Sequence, residues 1–492
     1  MKARLARKTA TTLFFIFIFA ASLFSAQAQT GVNWNGGSGN WSASADWSGG
    51  VVPNNGGGKT YNVTIGNGTA ETVTLDLGVT ISDLTLGTSA TLQSSGNNSL
   101  TIASGGTFTN SGTLTFNTGS NVLTIQSGGT LNNNGGMTFT GVGSGLKVTG
   151  NTTNSASGTI SLSGGSTSTL TGNVTNSGSF TTGFSGGSNL VTASGTFTNN
   201  SGAQLNLETS GDVLNVNALS NSGTLGIGSG ATLNITGGGN GVTDVVAGST
   251  YDITGNFNVK NSTTTTSALA KLTSVEGALT LNAAPTLTIT PIGGTLTISN
   301  TGTFSAEGGM TLSLTGNVNN SGVFETGFSG GKNLATVSGT FTNNSGAQLI
   351  VNGSGDVLNI HALSNSGTLN IGSGATLNIT GGGNGVTDVV AGSTYDITGN
   401  FNVKNGATTT SALAKLTSVE GTLTLNNAPI GAMAPMGGTL TISNTGAFNV
   451  EGGMTLALTG NVNNSGTFTT GFSGGNNLVT VSGHSPTTRE RS

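Results

Sequence analysis

The chain contains no cysteine, so disulfides cannot hold it together and its stability must come from packing and backbone hydrogen bonds. Charge is scarce as well. Only 6% of its 492 residues are Asp, Glu, Lys or Arg, against roughly 25% in ordinary soluble proteins, which excludes disorder driven by charge repulsion. Of the 13 basic residues, Lys2, Arg4, Arg7 and Lys8 crowd the opening stretch and the rest form no stripe. No nucleic-acid partner is therefore expected. Proline falls to 6 beside 85 glycines, together below the roughly 25% that marks aperiodic low-complexity chains. Only one long apolar run exists, over residues 13–23, and it is shorter than the roughly 18 residues a membrane helix needs. No later segment repeats it, so no membrane-spanning segment is expected in the mature chain.

That run follows four basic residues and precedes Ala26-Gln27-Ala28, the pattern of a Sec signal peptide over residues 1–28. Export is the expectation. The remaining sequence alternates apolar residues with Thr, Ser and Asn, as in Thr113-Leu114-Thr115-Phe116, Thr295-Leu296-Thr297-Ile298 and Thr439-Leu440-Thr441-Ile442, which is the period of a half-buried strand.

Residues 171–314 recur as 315–458 without insertion, at roughly four-fifths identity, and a third copy occupies 459–483. Within this period of 144 residues runs a shorter rhythm. Turns of the NSG type place glycines at Gly112, Gly136, Gly158, Gly178, Gly202 and Gly223, 20 to 24 residues apart. Strands of four or five residues at that rhythm predict an all-β fold, a right-handed parallel β-helix solenoid with about 19 coils of about 22 residues. The strands are too short for a transmembrane barrel, and a sandwich array would need units near 100 residues. Asn199, Asn200 and Gly202, like Asn343, Asn344 and Gly346, read as corner turns able to stack between coils, because both residue types tolerate positive φ. Residues 267–282 are open to a helical turn or to a leucine-rich coil leading into a strand.

The sequence divides into a signal peptide (1–28), an N-terminal cap (29–70), divergent coils (71–170), the three repeats and a non-repeat tail (484–492). Its tryptophans, Trp34, Trp41 and Trp47, all lie in the cap segment. Two roles suit them: covering the apolar interior of the first coil, or stacking on sugar rings. The cap is the favoured reading.

With its Gly/Asn/Thr/Ser-rich coils, its WNGGSGNW motif at 34–41, Asp46-Trp47 and GGVVPN at 49–54, the chain resembles bacterial surface proteins of the autotransporter-passenger and adhesin-like type. The resemblance implies an exported, extracellular or cell-surface rod, monomeric, with surface glycans or other cells as partners. It also implies a translocator barrel or sorting segment that the sequence does not carry. The tail HSPTTRERS departs from the repeat at His484 and holds Arg489 and Arg491, so the expectation is a truncated version of a longer surface protein, with a genuine disordered tail as the alternative.

A β-helix also invites the pectin-lyase-like carbohydrate enzymes, but their chemistry needs a base with cations, or two carboxyls roughly 5 to 9.5 Å apart. Asp212, Asp244, Asp252, Glu276 and Glu307 are spread along the sequence, so the chain is expected not to be an enzyme and to use no cofactor. His361 aligns with Asn217, Glu208 with Asn352 and Glu325 with Thr181 between the copies. Neutral residues can therefore stand in for them, and His361 is expected in an exposed turn. Asp212/Asp356, Asp244/Asp388, Asp252/Asp396 and Lys260/Lys404 recur, as recent duplication alone would produce. Residues 238–244 approach the calcium nonapeptide pattern but place Asp244 one position late, so a Gly-rich turn is expected and no metal. Thr-x-Thr strands also suit an ice-binding face, but varying coil length counts against a regular one.

Overall fold

In Thr113–Phe116, Leu114 and Phe116 are fully buried while Thr113 and Thr115 face outward. A computed structural model of the protein describes residues 29–483, apart from 67, 184–186, 283–285, 328–330 and 472–474. The signal peptide expected over 1–28 and the tail 484–492 lie outside the described residues. The alternation repeats from strand to strand, and 54% of the chain is strand against 3% helix.

One coil shows how the strands assemble. Leu100–Ile102, Thr107–Asn110 and Thr113–Phe116 lie on three successive faces, and the next coil places Val122–Ile125, Thr130–Asn133 and Gly136–Phe139 beside them in parallel. The result is a β-solenoid of about 18 turns, which at roughly 4.8 Å per rung gives an axis near 86 Å. Its apolar side chains form one continuous core, in which Phe324 stacks on Phe304 and meets Phe341 edge to face, both with ring centroids 5.2 Å apart. Burying each such side chain contributes about 1.5–3 kcal/mol.

The third face is an unbroken ladder of 19 strands from Ser38–Asn40 to Thr467–Thr470. Coil length varies without disturbing it. Ser179 pairs with Gln204, Gln204 with Thr224, Thr224 with Thr250, Thr250 with Ala278, Ala278 with Thr303 and Thr303 with Val323, so the 144-residue repeat is six unequal coils. The extra residues emerge on the other faces. There the antiparallel hairpins Asn256–Lys260/Thr265–Ser267 and Asn400–Asn405/Thr408–Ser411 interrupt the parallel stack at equivalent places. Elsewhere a corner is crossed without a break, as in Leu190–Asn199, which bulges between Ala193 and Thr196.

Residues 267–282 take the second of their two expected forms: Leu269, Leu272 and Val275 are buried in a turn and short strand leading into Ala278–Asn282. The corner expectation needs correction. Gly202 does adopt φ +79°, but Asn199 ends a strand and points inward. Gly223 is required by space instead, since a Cβ there would sit 2.4 Å from the Ala203 carbonyl oxygen.

Candidate functional site

The three tryptophans form one cluster over the first coil. Trp34 and Trp41 each meet Trp47 edge to face at 4.8 Å, and all three are at most 2% exposed. Their indole N–H groups donate inward, Trp34 to the Gly37 carbonyl, Trp41 to Pro53 and Trp47 to Trp41. Sugar stacking needs an open ring face, and none of the three presents one. Packing explains why the segment folds this way: among the described residues no rung precedes the first coil, and large flat side chains close its apolar end.

The recurring acids occupy three different settings. Asp212 is fully buried, and its Oδ1 accepts hydrogen bonds from the Asn189 backbone N–H and Nδ2 at 3.0 and 2.7 Å. Its Oδ2 accepts from Thr182 Oγ1, the Thr209 N–H and Thr209 Oγ1. Asp356 repeats the burial and accepts from Asn333. These carboxylates hold loops of adjacent coils together and face no substrate space.

Asp244 is exposed at a strand that pairs with Ser274, and hydrogen bonds from Ser274, Thr243 and Thr273 surround it. The Ser274 hydroxyl, working against partial desolvation, holds its carboxyl below the ordinary value; Asp388 with Ser418 is the same. Among the described residues no group of three His, Asp or Glu could hold a metal ion. Asp252 and Asp396 stand exposed on the third face, while Lys260 and Lys404 lie on the hairpins. His361 is exposed but lies within the strand Val357–Asn365 rather than in a turn.

The third face carries a shallow groove. Thr138, Thr159, Ser161, Thr181 and Asn206 line one part, and Glu208, Gly226 and Asp252 the next, where the missing side chain of Gly226 leaves a notch. In the second copy Glu208 becomes Asn352 and Gly226 becomes Asn370.

Another polar system went unread in the sequence. Asn110, Asn133, Asn154, Asn176, Asn199 and Asn221 form a buried ladder in which each Nδ2 donates to the next Oδ1 at 2.7 Å. Each rung within the ladder also donates to a backbone carbonyl, as Asn154 does to Ser179. Asn320, Asn343 and Asn365 repeat it in the second copy. The signal was present: each Asn closes a strand shortly before the glycine of its turn.

Comparison with protein-family models, with curated proteins and with solved structures finds no match. The class is therefore the one the fold itself defines, a repeat protein of the parallel β-solenoid type.

Proposed function

We propose that this chain is the non-enzymatic rod of an exported surface protein, adhesin-like or similar to autotransporter passengers. It acts as a spacer that holds a surface glycan or another cell at a distance set by coil number. The observation that carries this reading is the six-coil module, which adds about 29 Å of axis per copy while the third-face ladder continues in register. A spacer gains length from duplication without needing a site. Two further features support it: the fully buried recurring carboxylates are occupied with loop hydrogen bonds, and the N-terminal sequence has the Sec pattern that export would require. No helix among the described residues is long and apolar enough to cross a membrane.

The second reading, a carbohydrate-binding or carbohydrate-active β-helix, is favoured by the groove that runs past Glu208 and Asp252. The test separates the two. Deleting residues 315–458 joins equivalent positions, and small-angle scattering should show a folded rod shorter by about 29 Å. Reproducible product release from plant or bacterial polysaccharides, abolished by Glu208→Gln or Asp252→Asn at the groove, would overturn the spacer reading.

A further inference from the structure

Residues 231–260 and 375–404 are identical throughout, yet residues 286–290 read TLTIT where 430–434 read IGAMA, with no position shared. That concentrated difference falls on the wall of a cleft. The hairpin Asn256–Lys260/Thr265–Ser267 takes the place of a parallel neighbour on the first face, and the strand Leu287–Ile289 resumes the stack beyond it. A cleft of about 170 Å³ remains between them. Ile253, Phe257, Leu269, Leu281 and Leu287 give it an apolar floor, and the exposed Thr265, Thr266 and Thr286, with Asn256, Asn258 and Ser267, give it a polar rim.

The second copy is built differently at the same place. Ile430 replaces Thr286 and is 2% exposed, while Gly431 replaces Leu287. Phe401 and Ile397 are 1% and 0% exposed where Phe257 and Ile253 are 5% and 3%. Its floor is the better covered of the two.

We propose that the first-copy cleft binds a free small molecule consisting of one apolar ring with a hydroxyl substituent, a simple phenol in size and chemistry. Apolar hollows of roughly 150 Å³ lined by Leu, Ile and Phe stay dry and accept a benzene-sized guest. The floor here carries the same residue types in an open cleft, and the polar rim supplies partners for a polar substituent at the mouth. The volume holds one ring, and the site is assigned to a free ligand, a partner's tyrosine being the outcome that would overturn that assignment.

Saturation-transfer NMR on the full chain, with phenol and p-cresol as probes and N-acetyltyrosinamide beside them, tests this. The native protein should show transfer to phenol at one site. Thr286→Ile with Leu287→Gly installs residues that the second copy already accommodates, and should weaken phenol binding at least tenfold while circular dichroism stays unchanged. Ile430→Thr with Gly431→Leu should open a second site and raise the stoichiometry from one to two. Absence of transfer to the native chain, or undiminished transfer to the first variant, would overturn the proposal. N-acetyltyrosinamide binding as tightly as phenol would overturn the free-ligand assignment in favour of a protein partner.

Discussion

The two long repeats bury the same carboxylate behind unequal sets of donors. Asp212 collects hydrogen bonds from Asn189, Thr182 and Thr209, whereas at Asp356 the counterpart of Thr209 is Gly353 and Thr326 Oγ1 finds no partner among the described residues. Asn333 is the neighbour that both copies retain in this role, as the equivalent of Asn189. The common part is a tie between loops of adjacent coils through an Asn backbone N–H and side-chain amide. The variable part is local decoration. A coil fixed on both sides by parallel ladders keeps its loop in place even after losing a side-chain donor.

Truncating the two acids should break the symmetry most. Asp212→Ala orphans the Asn189 N–H and the Thr209 N–H and leaves the Asn189 amide with the Gly187 carbonyl as acceptor, and each buried donor left unsatisfied costs about 1–3 kcal/mol. The expected loss is about 3–5 kcal/mol. Among the described residues Asp356→Ala orphans the Asn333 groups, and it should cost roughly half as much. A solenoid does not unfold as one unit, so the readout is native-state hydrogen exchange at Asn189 and Asn333. Equal deprotection would mean that the extra donors around Asp212 add nothing.

The asparagine ladder sharpens the comparison from the opposite side, because here the copies agree. Asn199 donates to Asn221 and the Thr224 carbonyl at 2.7 and 2.9 Å, and Asn343 donates to Asn365 and Thr368 at the same distances. Asn199→Ala and Asn343→Ala should each cost about 2–3 kcal/mol, equal within error, read from local exchange in the flanking strands. Asn464, the third-copy equivalent of Asn176 and Asn320, is only half-buried, and its replacement should cost under about 0.5 kcal/mol.

How much of this was legible follows from which interactions are local. Alternation in Thr113-Leu114-Thr115-Phe116 declares a strand with one buried face, and short strands between turns 20 to 24 residues apart declare a solenoid, because both patterns are local in sequence. The unequal coil lengths concealed the regular third face. Only pairing such as Thr250 with Ala278 shows that the added residues leave by the other two faces. Asn199 read as a corner residue for its tolerance of positive φ, yet its role rests on Asn176 and Asn221, one coil away on either side. That Asp212 is fully buried among donors is something no spacing could reveal. The tryptophans were placed correctly at the first coil, but that their N–H groups all turn inward is a fact of three dimensions.

The smallest effect concerns Glu325, which stands where the first copy has Thr181. It pairs with Ser305 on one side and Ile350 on the other. Desolvation first, and then the like charge of Glu307, pushes its carboxyl above the ordinary value of 4.5. The sign of the consequence is fixed by linkage. Below the ordinary value the group is protonated in folded and unfolded chains alike and costs nothing. As pH rises through 4.5 the unfolded chain ionises first, so the native state loses relative stability until the raised folded value is passed. Glu325→Thr, which restores the first-copy residue, should therefore stabilise the second copy at neutral pH. The gain is about a few tenths of a kcal/mol, because the side chain keeps partial access to solvent that screens the repulsion. Hydrogen exchange in Thr303–Glu307 and Gln348–Val351 at pH 7 and below pH 4 measures it. A gain of the same size at both pH values would assign the effect to packing or strand preference, and the copies would then differ here in shape alone.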